Sequence, residues 1–496
     1  MGGGKRSLRA AGASSRGGLG ISRETGRGPK VLGIDGFPMR VLPPGGAGQA
    51  HMWGVESSPP LTEVSPEMGR ARILAEWHTL RRVVVRRPGL EAFFGLLDPY
   101  SSLYERGFSL ERARREHDEL VETLRRGYGV TVHYLDELLL EAAGRDPEVF
   151  QELARRAQTT LQFTGPGARR ARQEFHRNLS LLDREQLFNI LTLSPSISLQ
   201  KGKGTRNIVP HTTLRVPLTN LFFMRDQQAV GDRGIILARM AKPQRRRETE
   251  ITSFVWRSIG EPPVLTIGRG TFEGGDFLPC GDFALIGQGD RTSPAAVQEI
   301  LAGGISFPEV GVVHQPRHPL LPTQDPMVNM HLDTYLNFPG EGLAVGYPEM
   351  LRQARVDVYH RGEDNRYHRQ RRTRLLSYLE NDQRFTVIPI TTLEQLCYAT
   401  NFLTVRNRTV VVPDVARNAE KVLANLQWAA QANPRKYHRL LLRASLDFTE
   451  LRAAGTFFPH SPKARDYGLE ARQVPLSNLT GAFGGAHCLT CSLERG

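Results

Sequence analysis

Short apolar runs rich in β-branched residues, each stopped by a turn signal, recur along this chain and constrain its fold more than any other feature. Arg82-Val83-Val84-Val85-Arg86 is halted by Pro88-Gly89, and Val130-Thr131-Val132-His133-Tyr134 alternates behind Gly127 and Gly129. Val264–Ile267 ends at Gly268, Phe283–Ile286 ends at Gly287, and Phe385–Ile388 carries Pro389. Phe402–Val405 and Thr409–Val412 flank Arg406-Asn407-Arg408, which suits a tight hairpin. Such runs pack well on a pleated, buried surface and read as strands. Between the first two, Ser109 reads as an N-cap, with Leu110, Ala113, His117, Leu120, Val121 and Leu124 following at helical spacing. Strand, helix, strand in that order argues for an α/β fold.

The pattern is interrupted once. Residues 137–204 are rich in Leu, Glu and Arg with little strand signal, and read as a small helical insertion between two parts of one α/β body, 70–136 and 205–496. A further helix is expected over Ala416–Ala430, and no internal repeat is evident. Residues 1–51 hold Gly, Arg and Ser with few large apolar groups before Val31, so they cannot bury enough surface to order themselves and are expected to be a disordered basic extension.

The net charge is +14, of which residues 1–50 supply +6 with eight Lys/Arg against two Asp/Glu. The remainder is spread over the rest of the chain, without the stripe of cations and aromatics that a nucleic-acid binder concentrates on one face. The sharpest basic cluster noted is Gln244-Arg245-Arg246-Arg247-Glu248. No apolar run reaches the length of a membrane span and no apolar leader is visible, so neither nucleic acid nor membrane is expected as a partner. Four cysteines in so long a chain do not make a disulfide scaffold and fit a cytoplasmic setting.

Four polar clusters sit among the apolar strands: Asn220 to Asp226, Phe272-Glu273-Gly274-Gly275-Asp276, Met330-His331-Leu332-Asp333-Thr334, and Gly484-Gly485-Ala486-His487-Cys488. Carboxylates bounded by apolar or glycine residues are costly to bury unless a cation compensates them. A thiol after a glycine-rich approach can serve as a nucleophile where its surroundings favour the thiolate. Each cluster also has a plainer reading. Asp226 can simply pair with Arg225, Glu273–Asp276 can be a turn, and His331-x-Asp333 can be a strand end or part of a metal site. Cys488 and Cys491 form Cys-x-x-Cys, which fits a redox pair or half a zinc site, although Cys280 and Cys397 stand alone.

Taken together and in this order, Arg225-Asp226, Glu273–Asp276, His331-Leu332-Asp333 and Gly484–Cys488 resemble the motifs of arginine deiminases, within the guanidino-group-modifying (pentein) superfamily. Val83–Gly89 resembles that family's first strand and turn, and Glu111–His117 its first helix. Residues 1–51 and roughly 426–465 fall outside the likeness. The resemblance implies a five-bladed α/β propeller with a helical insertion, and hydrolysis of L-arginine to L-citrulline and ammonia with no cofactor and no metal. It implies that Cys488 attacks the guanidinium carbon, that Asp226 and Asp333 grip the guanidinium, that His331 is acid and base, and that Glu273 orients it. Asp276 joins these at the substrate, and Asn220, Arg245 and Arg291 match positions that contact its far end. Phe483 stands where some arginine deiminases carry an arginine, which leaves free arginine, a modified arginine and another guanidine open as substrates. An amidinotransferase and a non-catalytic arginine-binding relative are the alternatives, and a homo-oligomer is compatible with the sequence.

Overall fold

The structure is a computed structural model that describes residues 70–202, 207–325 and 328–496. The expectation for residues 1–51 lies outside the described residues.

The β-branched run at Val83–Val85 builds the strand Leu80–Val85, whose valines are fully buried. It pairs in parallel with Thr131–Tyr134 on one side and antiparallel with Thr490–Arg495 on the other. That antiparallel partner carries Cys491 and directly follows the short turn Ala486–Leu489 that contains Cys488.

The same pairing recurs four more times. Ile235–Leu237 lies between antiparallel Gln228–Val230 and parallel Leu265–Thr266. Phe283–Gln288 lies between Phe277–Pro279 and Glu309–His314. Leu343–Gly346 lies between Leu336–Gly340 and Thr386–Pro389, and Thr409–Pro413 between Leu403–Arg406 and Glu470–Val474. Parallel neighbours need a crossover segment, whereas antiparallel neighbours need only a tight connection. The chain is therefore a mixed α/β fold with one topological unit used five times, a repeat that inspection of the sequence did not reveal.

Apolar side chains from these units merge into large buried clusters. Val83 and Val85 pack with Leu403 and Val411, and Trp77 packs against Phe338 and Phe385. Each fully buried side chain of this size stabilises the fold by about 1.5–3 kcal/mol relative to exposure.

The stretch 137–204, read as helical, holds the helices Leu135–Arg145, Pro147–Thr160, Ala168–Asn178 and Arg184–Leu193, but also the strands Gln162–Thr164 and Pro195–Lys201, which form a sheet with Ile208–Leu214 just beyond it. Ile208–Leu214 is exposed along nearly its whole length and contains Pro210, so no buried face marks it in sequence. Ser109 caps the helix Leu110–Glu122 by accepting from the Arg112 amide, as its position suggested. The later helix runs Val415–Ala432 and is followed at once by Pro434–Ala454; Asn433 ends the first and caps the second by accepting from the Lys436 amide.

A denser basic run than residues 244–248 lies at Tyr367–Arg374, the edge strand of the Phe277–Gln288 sheet, where Arg369, Arg371, Arg372 and Arg374 are exposed. Arg371 pairs with Asp382 and Arg372 with Asp357. Charges along an edge keep it from pairing with another chain. Among the described residues, no helix is long and apolar enough to cross a membrane.

Candidate active site

Each five-fold unit contributes a polar residue just before its antiparallel strand. Asp226 precedes Gln228–Val230, Glu273 and Asp276 precede Phe277–Pro279, His331 and Asp333 precede Leu336–Gly340, and Cys488 precedes Thr490–Arg495. The fifth unit supplies Asn401 ahead of Leu403–Arg406. Short turns at Gly274–Asp276, Leu332–Thr334 and Ala486–Leu489 turn these side chains inward before each strand begins.

His331 joins two of the carboxylates. Its Nε2 lies 2.8 Å from Glu273 Oε2, and its Nδ1 lies 3.6 Å from Asp226 Oδ1. Ligand atoms of Asp226, Glu273 and His331 all fall within 4.8 Å of one another, close enough to hold a metal ion or another compact cation. Burial alone would lower the imidazole pKa, but the Asp226 and Glu273 carboxylates outweigh it and raise it to about 9. Burial likewise opposes ionisation of Glu273, yet Arg291 and His331 hold its carboxyl well below the usual range.

Cys488 is buried, and its thiol donates to Asp333 Oδ2 at 3.7 Å. Burial, Asp333 and Asp226 together push this thiol well above its ordinary pKa, against a smaller lowering by Asn401 and Arg225. His487 Nδ1 lies 2.7 Å from the same Asp333 oxygen. Asp226 Oδ1 and Asp333 Oδ1 are both buried and accept no hydrogen bond among the described residues. Two solvent-excluded carboxylate oxygens without donors are expensive to maintain.

The remaining residues singled out in sequence are all buried, and each has partners within the protein. Arg245 donates to Asp226 Oδ2 at 2.6 Å and to both Glu248 oxygens; Arg291 donates to Glu273 Oε2 at 3.2 Å. Asp276 accepts from the Leu332 amide at 2.9 Å and from the Thr292 hydroxyl at 2.6 Å, so it ties the Glu273 turn to the His331 turn. Burial raises Asp276 to about 6. Asn220 donates to the Ser102 carbonyl at 2.8 Å. The plainer pairing of Asp226 with Arg225 is not what forms: Arg225 turns away and donates to Glu76 at 3.3 Å. Cys488 and Cys491 are both free thiols.

The glycines are required by close approach. A Cβ on Gly274 would lie 2.1 Å from the Gln228 carbonyl oxygen, and one on Gly485 would lie 2.8 Å from that of Asn401. Asn401 was missed in the sequence. Its Oδ1 accepts from the amides of Gly485 at 2.8 Å and Cys488 at 3.1 Å, which fixes the turn carrying the thiol. Glu76 was missed as well. It binds Arg225 and, at 3.1 Å, Arg495, and lies 3.6 Å from His487 Nε2. A carboxylate inside Leu74-Ala75-Glu76-Trp77 was the available signal.

Carboxylates, an imidazole and a thiol gathered inside a mixed α/β chain make a candidate enzyme centre. The family model for arginine deiminase matches residues 101–495, running through the 426–465 stretch set outside the likeness above. Arginine deiminase of Halobacterium salinarum is 26% identical over 368 residues, 59% of this chain and 73% of that protein. Arginine deiminase 1 of Staphylococcus epidermidis is 29% identical over 287 residues, 54% of this chain and 66% of that protein. Among solved structures, the product-bound N-terminal domain of ArgZ, a cyanobacterial arginine dihydrolase, aligns with a TM-score of 0.44 at 15% identity, covering 84% of this chain and 97% of that one. The chain belongs to the arginine deiminase family.

Proposed function

We propose that this protein hydrolyses the guanidino group of L-arginine to give L-citrulline and ammonia, through a covalent adduct on Cys488. The five repeated units ring one axis as a five-bladed α/β propeller, with 70–136 and 205–496 as the catalytic body and 137–204 as an insertion. The observation that carries the reading is the pair of donor-less buried oxygens, Asp226 Oδ1 and Asp333 Oδ1, beside a thiol that both carboxylates act on. A guanidinium offers planar forks of N–H donors and one diffuse positive charge, which satisfies such oxygens.

Binding that cation offsets the negative field on Cys488, so its thiol loses a proton to water and becomes a thiolate. The thiolate attacks the guanidinium carbon, forming a C–S bond. His331, an imidazolium at neutral pH, protonates one amino nitrogen, the C–N bond breaks, and ammonia departs. A thiouronium remains on Cys488. Neutral His331 then takes a proton from water, the hydroxide adds, and the C–S bond breaks as the added hydroxyl gives its proton to solvent, releasing citrulline and the thiolate. Glu273 holds the ring through both steps. Incubation with L-arginine is expected to yield citrulline and ammonia in equal amounts. No citrulline, or as much from Cys488→Ala as from the wild type, overturns the proposal.

A further inference from the structure

A cavity of about 570 Å³ lies against the inner turns: Met330 and Thr334, which flank the His331–Asp333 segment, and Phe483 form part of its wall. Phe483 adopts a left-handed backbone, φ 68°, at the entry to the Gly484–Cys488 turn. The outer wall comes from the helices Val415–Ala432 and Pro434–Ala454 through Leu426 and Leu440. At its rim stand two aromatics from different elements, Trp428 at 69% exposure and Tyr100 at 89%. Exposed large apolar groups around a concavity mark a binding surface.

The charges in this cavity are unsuited to the head of a free amino acid. Its two acids are already engaged: Glu105 with Arg106, and Asp325 with Lys436 and Tyr437. No wall carboxylate is therefore left to pair with an α-ammonium. Arg245 and Arg291 are held by Asp226, Glu248 and Glu273. Lys242, half-buried in the wall, forms no ion pair among the described residues and can meet one carboxylate. The rest of the wall combines apolar and aromatic groups with neutral polar side chains, among them Gln244, Gln395 and Asn425.

Resting on the guanidine hydrolysis proposed above, we infer that the preferred substrate is an arginine whose α-amino group carries an apolar acyl cap. The cap removes the positive charge for which the wall holds no uncommitted carboxylate and lays its apolar body on Trp428 and Leu426. Lys242 takes the carboxylate.

The test is binding to Cys488→Ala by calorimetry, with L-arginine and Nα-benzoyl-L-arginine as ligands. The capped ligand is expected to bind about tenfold tighter or better, the range that one well-filled apolar pocket supplies. Trp428→Ala, at an exposed position, on the same background is expected to bring the ratio close to one. No saturable binding of the capped ligand, a preference for free arginine, or an unchanged ratio in Trp428→Ala overturns the inference. Ammonia release by the wild type is measured alongside. A capped-ligand preference without ammonia from either guanidine supports the subsite while overturning hydrolysis.

Discussion

Two buried ionic clusters meet at Cys488, and they differ in the sign of their surplus. On the side of His331, Asp226, Glu248 and Glu273 face Arg245, Arg291 and the imidazole, and Asp333 stands close by. On the other side, Glu76 alone faces Arg225 and Arg495. His487 lies between them, 2.7 Å from Asp333 and 3.6 Å from Glu76. The ingredients are alike, yet only the first cluster leaves carboxylate oxygens without donors. On the reaction proposed above, the cluster with excess acid receives the cation and the one with excess positive charge supports the thiolate from behind.

The largest expected effect is on the acid-rich side. Asp226→Asn and Asp333→Asn each remove one negative charge with little change of shape. Each is expected to lower kcat/KM for the turned-over guanidine by about 10²–10³-fold, the scale of losing one group that is aligned with developing charge. A loss under about fivefold in either variant would break the distinction drawn between the clusters. On the base-rich side, Glu76→Gln is expected to act on stability, because it strands two buried guanidinium groups. The cost expected is about 3–5 kcal/mol in denaturant melts. A shift below about 1 kcal/mol would show that Arg225 and Arg495 find other anions.

A pH series sharpens the same contrast. His331 binds its proton more tightly folded than unfolded, with a pKa raised to about 9 from an ordinary 6.5. Its contribution to stability is complete below the unfolded value and is lost as pH rises through about 9. The buried histidines His117 and His318, lowered to about 3 and about 4, have already made their full contribution by neutral pH. Stability is therefore expected to fall between about pH 7 and 9, and His331→Gln is expected to flatten that fall. An equal slope in the variant would assign the pH dependence elsewhere.

Much of this was legible because strands and site residues announce themselves locally. Val83–Val85, Thr409–Val412 and the Ser109 cap carry their signal within a few residues, and the four motifs place a charge or thiol where an apolar strand is about to begin. The five-fold unit was not legible, because it is conserved in pairing and not in residue type. Its central strands share no sequence: Val83-Val84-Val85 in one, Leu343-Ala344-Val345-Gly346 in another. Asn401 went unseen for the same reason. Its partners Gly485 and Cys488 lie 84 and 87 residues away, and one amide among apolar residues has no period. The topology supplies what the sequence lacks: four units place a candidate site residue before the antiparallel strand, so the fifth, which carries Asn401, is the next place to look.

The smallest effect expected lies where the clusters meet. Arg225 lowers the Cys488 thiol pKa, against the larger raising by burial, Asp333 and Asp226. Replacing it by Arg225→Gln removes that positive charge from behind the sulfur and leaves the acid-rich side intact. Thiolate, not thiol, reacts with alkylating agents, so alkylation of Cys488 at fixed pH is expected to slow severalfold, followed by mass spectrometry of its peptide. Unchanged alkylation in Arg225→Gln would mean that the base-rich cluster is purely structural and that the cation drawn to Asp226 and Asp333 activates the thiol alone.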